Sequence, residues 1–219
     1  MRKIPKLLEP SILSEKKEEW RSAFLADPSE TNKNKYRHPA IKETLKLETK
    51  DKCVYCESKI GHNCAGDIEH KIPKSKRPDL IFEWNNMTIA CNECNRRKGE
   101  YYEEGCMFLD PNNDDVENLV QHVGPVIFSI PGNNRAEITV RTLELHTLTG
   151  RINLIARKME KLESIKNLIE RIVESNNPIL KSFLLNELKE SYDISSEFSG
   201  MLKTYVEGLP SYLPKRAHS

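Results

Sequence analysis

No stretch of this sequence approaches the roughly 20 apolar residues that a membrane-spanning helix requires. Its start, Met1-Arg-Lys-Ile-Pro, lacks the apolar run of a secretory signal. A membrane-embedded or exported protein is therefore not expected, and the cytoplasm is the expected location. A surplus of one charge is missing as well: 34 basic and 33 acidic side chains leave a net charge of +1. General electrostatic attraction to nucleic acid needs a larger excess, so any phosphate chemistry must use a local basic patch or a partner. Internal repeats and low-complexity tracts are absent. What remains is a polar chain of 219 residues, 31% charged and 37% hydrophobic, which can bury the core of one medium domain or of a small motif domain with helical extensions.

The first fifty residues are charged and helical in pattern. Ser14 to Leu25 reads as a short amphipathic helix with Trp20, Phe24 and Leu25 on one side and Ser14 as its cap. Residues 27–34 read as a turn or loop. His38-Pro39 then opens a helix over 40–48 with Ile41, Leu45 and Leu47 as its apolar positions, and His38 is expected to serve helix entry. From 53 to 110 the helical period is lost and Gly, Asn, Cys and Pro become frequent. After Pro111 and a polar turn, the runs 126–130 and 137–141, separated by Pro131-Gly-Asn-Asn-Arg135, predict a β-hairpin.

Ile155, Met159, Leu162, Ile165, Ile169 and Ile172 recur at spacings of three and four and predict a helix over 153–173, ended at Asn176-Asn177-Pro178. Helices are expected over 179–190 and 195–206, then a loose tail with Pro210, Pro214 and Lys215-Arg216. Leu154, Leu168 and Val173 widen the apolar stripe of the long helix. With Phe198, Met201, Leu202 and Tyr205 on the last helix, they predict surface for a protein partner after Pro111.

Four of the six cysteines form two Cys-x-x-Cys pairs, Cys53/Cys56 and Cys91/Cys94. In a reducing compartment this is a metal pattern, not a disulfide pattern. Each pair sets two thiolates on one tight turn, and two turns surround one tetrahedral Zn²⁺ with no open position, so the zinc is structural. The long gap between the pairs makes it a staple at the base of an insertion. Cys64 and Cys106 read as small buried hydrophobes. His62 beside Cys64 offers a minor alternative zinc site.

The insertion starts with Gly66-Asp67-Ile68-Glu69-His70-Lys71-Ile72-Pro73, whose alternation predicts a strand closed by Pro73, and continues through the basic loop Lys74-Ser-Lys76-Arg77-Pro78. Asn86-Met87 leads into a second short strand that delivers Cys91-Asn-Glu-Cys94, and Asn95-Arg96-Arg97-Lys98-Gly99 begins a helix. Hydrolysis of a phosphodiester needs a base to take a proton from water and a cation to hold the phosphate and neutralise the leaving oxygen. His70 has the intrinsic pKa of such a base. Asn95 offers a neutral oxygen ligand, or serves only as a helix cap. Asp67 shares a strand face with Glu69 and competes with it as a metal ligand. Asn86 is expected to pin the loop between the strands. Lys71, Lys74, Lys76, Arg77, Arg96, Arg97 and Lys98 bracket these residues as candidate phosphate contacts that carry no base readout. Lys98 is also a candidate for stabilising transition-state charge.

Glu69-His70, Asn86 and Asn95, set around the second Cys-x-x-Cys, resemble the marks of HNH endonucleases in their HNN form. The resemblance implies a zinc-stapled ββα-metal core, a catalytic set of His70, Glu69, Asn86 and Asn95, and a catalytic Mg²⁺ or Mn²⁺ held by Glu69, Asn95 and Asp67. It implies products with a 5′-phosphate and a 3′-hydroxyl, with DNA favoured as substrate. Cys53-Val-Tyr-Cys-Glu57, Asp67-Ile-Glu-His70, Trp84-x-Asn86, Ala90-Cys-x-x-Cys-Asn95-x-x-Lys-Gly99 and the run Tyr36-Arg-His-Pro-Ala-Ile-Lys42 are more narrowly similar to the HNH subunits of Septu-type and retron-associated bacterial anti-phage systems (PtuB-like proteins). That similarity implies a nuclease working with an ABC-type ATPase (PtuA-like) and, in the retron case, alongside a reverse transcriptase and its RNA/DNA hybrid.

The expected architecture is α+β: a helical segment over 1–52, an HNH core over 53–110, and a hairpin with a helical, partner-binding region over 111–219. The rival expectations are a zinc module that binds nucleic acid without cutting it, a structural adaptor, and a nuclease for structured RNA such as tRNA. No aromatic stacking platform or recognition helix decides between DNA and RNA.

Overall fold

A computed structural model describes residues 1–61 and 64–209. Helix α1 (Ser11–Ala26) begins directly after Pro10, ahead of the expected start at Ser14, because Leu13 is drawn into the core and fixes the first turn. Trp20 and Phe24 are buried, but Leu25 is 63% exposed and does not share their face. The stretch expected as a loop contains a one-turn helix, α2 (Glu30–Lys33), capped by Ser29, and a 3₁₀ turn over Asn34–Arg37. Helix α3 (Pro39–Thr49) starts where Pro39 fits the first helical position and the Nδ1 of His38 accepts from Ala40 N at 3.2 Å. Ile41 and Leu45 point inward while Leu47 is exposed. Its expected place is taken by Glu48, which accepts from Lys6 Nζ at 3.2 Å and Leu7 N at 3.0 Å.

Strands β1 (Asp67–His70) and β2 (Met87–Ala90) pair antiparallel, with Glu69 opposite Thr88 and His70 opposite Met87. Helix α4 (Asn92–Lys98) packs against β1, and α3 packs on both strands. Two strands and a helix, with the four cysteines clustered beside them, form the expected ββα core.

The C-terminal part departs from expectation first at the hairpin. After α5 (Val116–Leu119), the hairpin joins β3 (Val120–Val123) to β4 (Val126–Ser129) through Gly124, whose φ of +54° suits the turn. Residues 137–141 are not its second strand; they lie in helix α6 (Asn134–Thr142). Asn133 Oδ1 caps that helix from Ala136 N at 2.8 Å, and Ala136, Thr139 and Val140 share one buried face. Thr139 Oγ1 also accepts from Leu109 N at 2.8 Å. This tertiary anchoring overrides the β-propensity of Ile138, Thr139 and Val140.

Helix α7 (Ile152–Glu174) buries Leu154, Lys158, Ile165, Leu168, Ile169 and Ile172. Met159 is exposed and Ile155 and Leu162 are half-buried, so the inward face is rotated from the expected stripe. Helix α8 (Pro178–Ser191) packs on α7 after a cap in which Asn177 Oδ1 accepts from Ile179 N and Leu180 N at 3.0 and 3.1 Å. Helix α9 (Ser199–Glu207) starts later than 195. Phe198, Met201 and Leu202, expected on a partner-facing surface, are fully buried in the molecule's own core.

Polar bonds lock α9 to the first cysteine knuckle. Buried Glu57 accepts from Ser199 Oγ at 2.8 Å, from Gly200 N at 3.2 Å and from the Met1 ammonium at 3.0 Å. Lys52 Nζ donates to Ser196 O at 3.0 Å and Ser199 Oγ at 3.2 Å. A Cβ on Gly200 would sit 2.8 Å from Glu57 Oε2, so only glycine permits this approach. One hydrophobic cluster runs through all three stretches of the chain, from Leu13 and Leu45 through Met87 and Ile89 to Ile172 and Leu202. Among the described residues no helix is long and apolar enough to cross a membrane. The tail from Pro210 lies outside the described residues.

Candidate functional site

The knuckles come first, because they hold the strands in place. The Cys53-to-Cys56 turn is tied to β2 by Val54 N donating to Ile89 O at 3.1 Å, and it is closed by Glu57 N to Cys53 O at 3.0 Å, with Glu57 at φ +62°. Cys91 occupies the cap of α4, its Sγ accepting from Cys94 N at 3.4 Å. The Sγ atoms of Cys53, Cys56, Cys91 and Cys94 are buried and all lie within 4.8 Å of one another. Cys56 and Cys91 sulfurs are 3.7 Å apart. A tetrahedral zinc with Zn–S of about 2.3 Å sets its sulfurs about 3.8 Å apart, so the donor set fits a closed structural zinc.

Four thiolates around Zn²⁺ leave a net charge of about −2. Buried Arg151 answers it, with Nη1 3.2 Å from Cys94 Sγ and Nη2 3.9 Å from Cys91 Sγ. Nothing in the sequence marked Arg151, which lies 57 positions after Cys94 and carries no motif. Cys64 is half-buried with its thiol 3.5 Å from Asn92 Oδ1, and Cys106 is also half-buried. His62 lies outside the described residues.

Beside the knuckles opens a cleft of about 410 Å³ lined by Asp67, Glu69, His70 and Asn95 from the core, together with Tyr36, Arg37, Lys42 and Lys74. Glu69 and His70 are strand neighbours and would point to opposite faces of a regular strand. Strand β1 ends at His70, and both side chains line the cleft. His70 Nε2 donates to Ile81 O at 2.9 Å, which places the ring proton on Nε2 and leaves Nδ1 as a bare lone pair. That Nδ1 is buried and has no hydrogen-bond partner among the described residues. The edge of the Tyr36 ring packs against the imidazole, with centroids 4.7 Å apart at 83°. Burial, reinforced by the charges of Lys74 and Lys98, holds the His70 pKa down at about 3, so the ring is neutral at neutral pH.

Asp67 and Asn95 come together through Asn95 Nδ2 donating to Asp67 Oδ2 at 3.3 Å, which keeps the amide oxygen available as a ligand. Glu69 is engaged differently. Lys98 Nζ lies 2.5 Å from Glu69 Oε1 and donates to His70 O at 2.9 Å. Burial pushes the Glu69 carboxyl pKa up, while Lys98 opposes that shift. Asn86 lies behind the cleft and braces the loop: its Oδ1 accepts from Ile72 N at 2.8 Å, and its Nδ2 donates to Ile72 O and Leu80 O at 3.1 and 3.2 Å.

The basic residues sort differently from the sequence expectation. Lys98 is 3% exposed and serves as an internal counterion, not as a phosphate contact. Lys71 pairs with Asp110 at 2.8 Å, Arg77 with Asp79 at 2.6 Å, Arg96 with Glu93 at 2.8 Å, and Arg97 with Glu93 at 2.6 Å. None of these five lines the cleft. Of the expected set only Lys74 does. Tyr36, Arg37 and Lys42 were not expected there, although the run from Tyr36 to Lys42 was the available signal.

Two outcomes check this geometry. Purified protein should carry about one zinc per chain by elemental analysis, and Cys53→Ala or Cys94→Ala should lose metal and fold together while Cys106→Ala keeps both; a folded, zinc-free protein contradicts the closed four-thiolate site. Lys98→Met should cost about 3–5 kcal/mol in urea unfolding, because it strands a buried carboxylate. A loss under about 0.5 kcal/mol is what a surface lysine would give.

Residues 53–100 match the family model described as HNH endonuclease. The chain is similar to "Septu protein PtuB" of Bacillus thuringiensis, with 28% identity over 137 residues covering 60% of this chain and 51% of that protein. It is similar to "Septu protein PtuB" of Bacillus mycoides (strain KBAB4), with 27% identity over 142 residues covering 51% of this chain and 48% of that one. A third similarity is to a "Retron Vc95 putative HNH endonuclease" of Vibrio cholerae serotype O1 biovar El Tor, with 29% identity over 79 residues covering 33% and 38%. The chain thus spans about half the length of the PtuB relatives it matches. Cysteine knuckles, paired strands and following helix coincide with the segment that matches the HNH endonuclease model, in a chain similar to PtuB proteins over about half its length.

Proposed function

We propose that the protein is a metal-dependent endonuclease that hydrolyses phosphodiester bonds of nucleic acid. The observation that carries this is the state of His70: its Nε2–H is committed to the Ile81 carbonyl, its buried Nδ1 is unpartnered, and the residue lines a cleft with Asp67, Glu69 and Asn95. A neutral imidazole with one nitrogen fixed and the other unpartnered is arranged to accept a proton from water. The oxygen freed of that proton attacks phosphorus, and the bond to the leaving sugar oxygen breaks.

The donors present are a carboxylate and an amide oxygen, which suit a hard cation such as Mg²⁺ or Mn²⁺ that keeps several waters. Asp67 and Asn95 would hold it, with the carboxylate oxygen of Glu69 not engaged by Lys98 as a third donor. Such a cation supplies neutralisation of charge on the phosphate and leaving oxygen. Lys98 positions both strand residues by holding the Glu69 carboxylate and the His70 carbonyl.

DNA is the favoured polymer, supported by the HNH resemblance. The resemblance to PtuB-like and retron-associated proteins supports a role as the nuclease of a cytoplasmic anti-phage system acting with an ABC-type ATPase. The region after Pro111 is the proposed contact for that ATPase. With Phe198, Met201 and Leu202 internal, the exposed apolar side chains available for the contact include Met159 and Val173 on α7 and Ile179, Leu180 and Phe183 on α8.

The test is nicking of supercoiled plasmid, with a structured RNA in parallel, as magnesium is varied. His70→Ala should lower the rate about a hundredfold or more while zinc content and melting temperature hold. Undiminished cutting by His70→Ala contradicts the mechanism, and cutting confined to the RNA contradicts the preference for DNA.

A further inference from the structure

The cleft has a wall that the core does not supply. Arg37 and Lys42 reach it from the helical segment ahead of the knuckles, and Lys74 reaches it from the loop after β1. Among the described residues no carboxylate forms an ion pair with any of the three, whereas Lys71, Arg77, Arg96, Arg97 and Lys98 are all committed to carboxylates. Three cations without carboxylate partners thus form one wall of the cleft, facing Asp67, Glu69 and Glu100 across it, in a chain whose net charge is only +1.

Tyr36 organises this wall. Its ring is buried, and its hydroxyl oxygen accepts from Arg37 Nε and from Lys74 Nζ, each at 3.1 Å. Two cations drawn to one neutral oxygen repel each other, and an anion placed between them relieves that repulsion. With both lone pairs of the phenol oxygen engaged, its own O–H proton is left to donate. Burial would raise the pKa of this phenol, but the Arg37 and Lys74 contacts outweigh it and pull the pKa down, which makes the O–H a better donor. The same ring packs against His70, so a ligand held by the wall lies beside that imidazole. Asp67 and Asn95, bonded to each other, line the same cleft and supply oxygen donors for a cation. A cleft with oxygen donors and a set of unpaired cations matches a phosphodiester that carries a divalent cation.

We propose that Tyr36, Arg37 and Lys42, together with Lys74, bind the phosphodiester backbone of the nucleic acid in this cleft, so that residues 34–42 are part of the site and not merely its support. This rests on the hydrolase function proposed for the cleft.

The experiment measures binding of a fluorescent duplex DNA and of a fluorescent RNA hairpin by anisotropy across a salt series. Zinc-loaded full-length protein is used without magnesium, so that binding is read apart from cutting. Arg37→Ala and Lys42→Ala should each weaken binding about three- to tenfold and each lower the slope of log affinity against log salt by about 0.9 on the duplex. Tyr36→Phe, which keeps the ring against His70, should weaken binding with unchanged zinc content and melting temperature. Arg141→Ala, whose arginine pairs with Glu137 outside the cleft, should change neither affinity nor slope. An Arg37→Ala/Lys42→Ala double variant with the parent's affinity and slope overturns the proposal, as does a parent that binds neither polymer at low salt. The two proposals fail separately: a parent that binds through these residues but never cuts sinks the hydrolysis and supports the wall.

Discussion

Four thiolates closing on one zinc is the constraint on which the rest of the molecule depends. Strands β1 and β2 have four residues each, and a two-stranded sheet of that size is marginal in water. The clamp removes that difficulty, because Cys91 lies directly between β2 and α4 and the Cys53 knuckle bonds to Ile89 in β2. The orientation of the Glu69, His70 and Asn95 side chains follows from it. Its charge also holds distant chain, Arg151 reaching the sulfurs from the start of α7, and the first knuckle is tied to α9 separately, by the Glu57 carboxylate accepting from Ser199 and Gly200. The C-terminal helices are thus folded around the metal site and share its core.

Charge placement explains how a nearly neutral chain can present a cleft with one cationic wall opposite its carboxylates. Buried ion pairs are costly to desolvate and are retained where they fix geometry. Lys98 and Glu69 do this, tying α4 to β1 and to the His70 carbonyl in one contact. Along α4, Arg96 and Arg97 are drawn to Glu93 and add little outward field. Arg37 and Lys74, which pair with no carboxylate among the described residues, are instead held at the Tyr36 hydroxyl. In the roles proposed above, substrate binding and base positioning draw on different residues, with Tyr36 packed against His70 at their junction.

Local signals made the core legible. Two Cys-x-x-Cys turns, a strand through Glu69-His70 and the helix stop before Pro178 are each set by neighbours in sequence, and the structure has them, although β1 ends at His70, short of the stop indicated at Pro73. The residues that escaped notice depend on contacts across the chain. Thr139 and Val140 favour strand locally, but an Asn133 cap and packing on Leu109 make them helical. Arg151 carries no motif because its partners are sulfurs of another segment. Phe198 looks like a surface anchor until its left-handed backbone, φ +57°, turns it into the core. The flanking lysines and arginines are indistinguishable in sequence, and only the positions of Glu93, Asp79 and Asp110 show which are already paired.

The central claim is that the fold holds His70 as a neutral imidazole with its proton on Nε2 and Nδ1 free to act on water. Nitrogen-15 NMR of the imidazole in the zinc-loaded protein tests this directly. The structure predicts the shift pair of a neutral Nε2–H tautomer that persists from pH 8 down to about pH 5, well above its depressed pKa. Protonation of the ring near its ordinary value of 6.5, or a proton resident on Nδ1, would contradict the account.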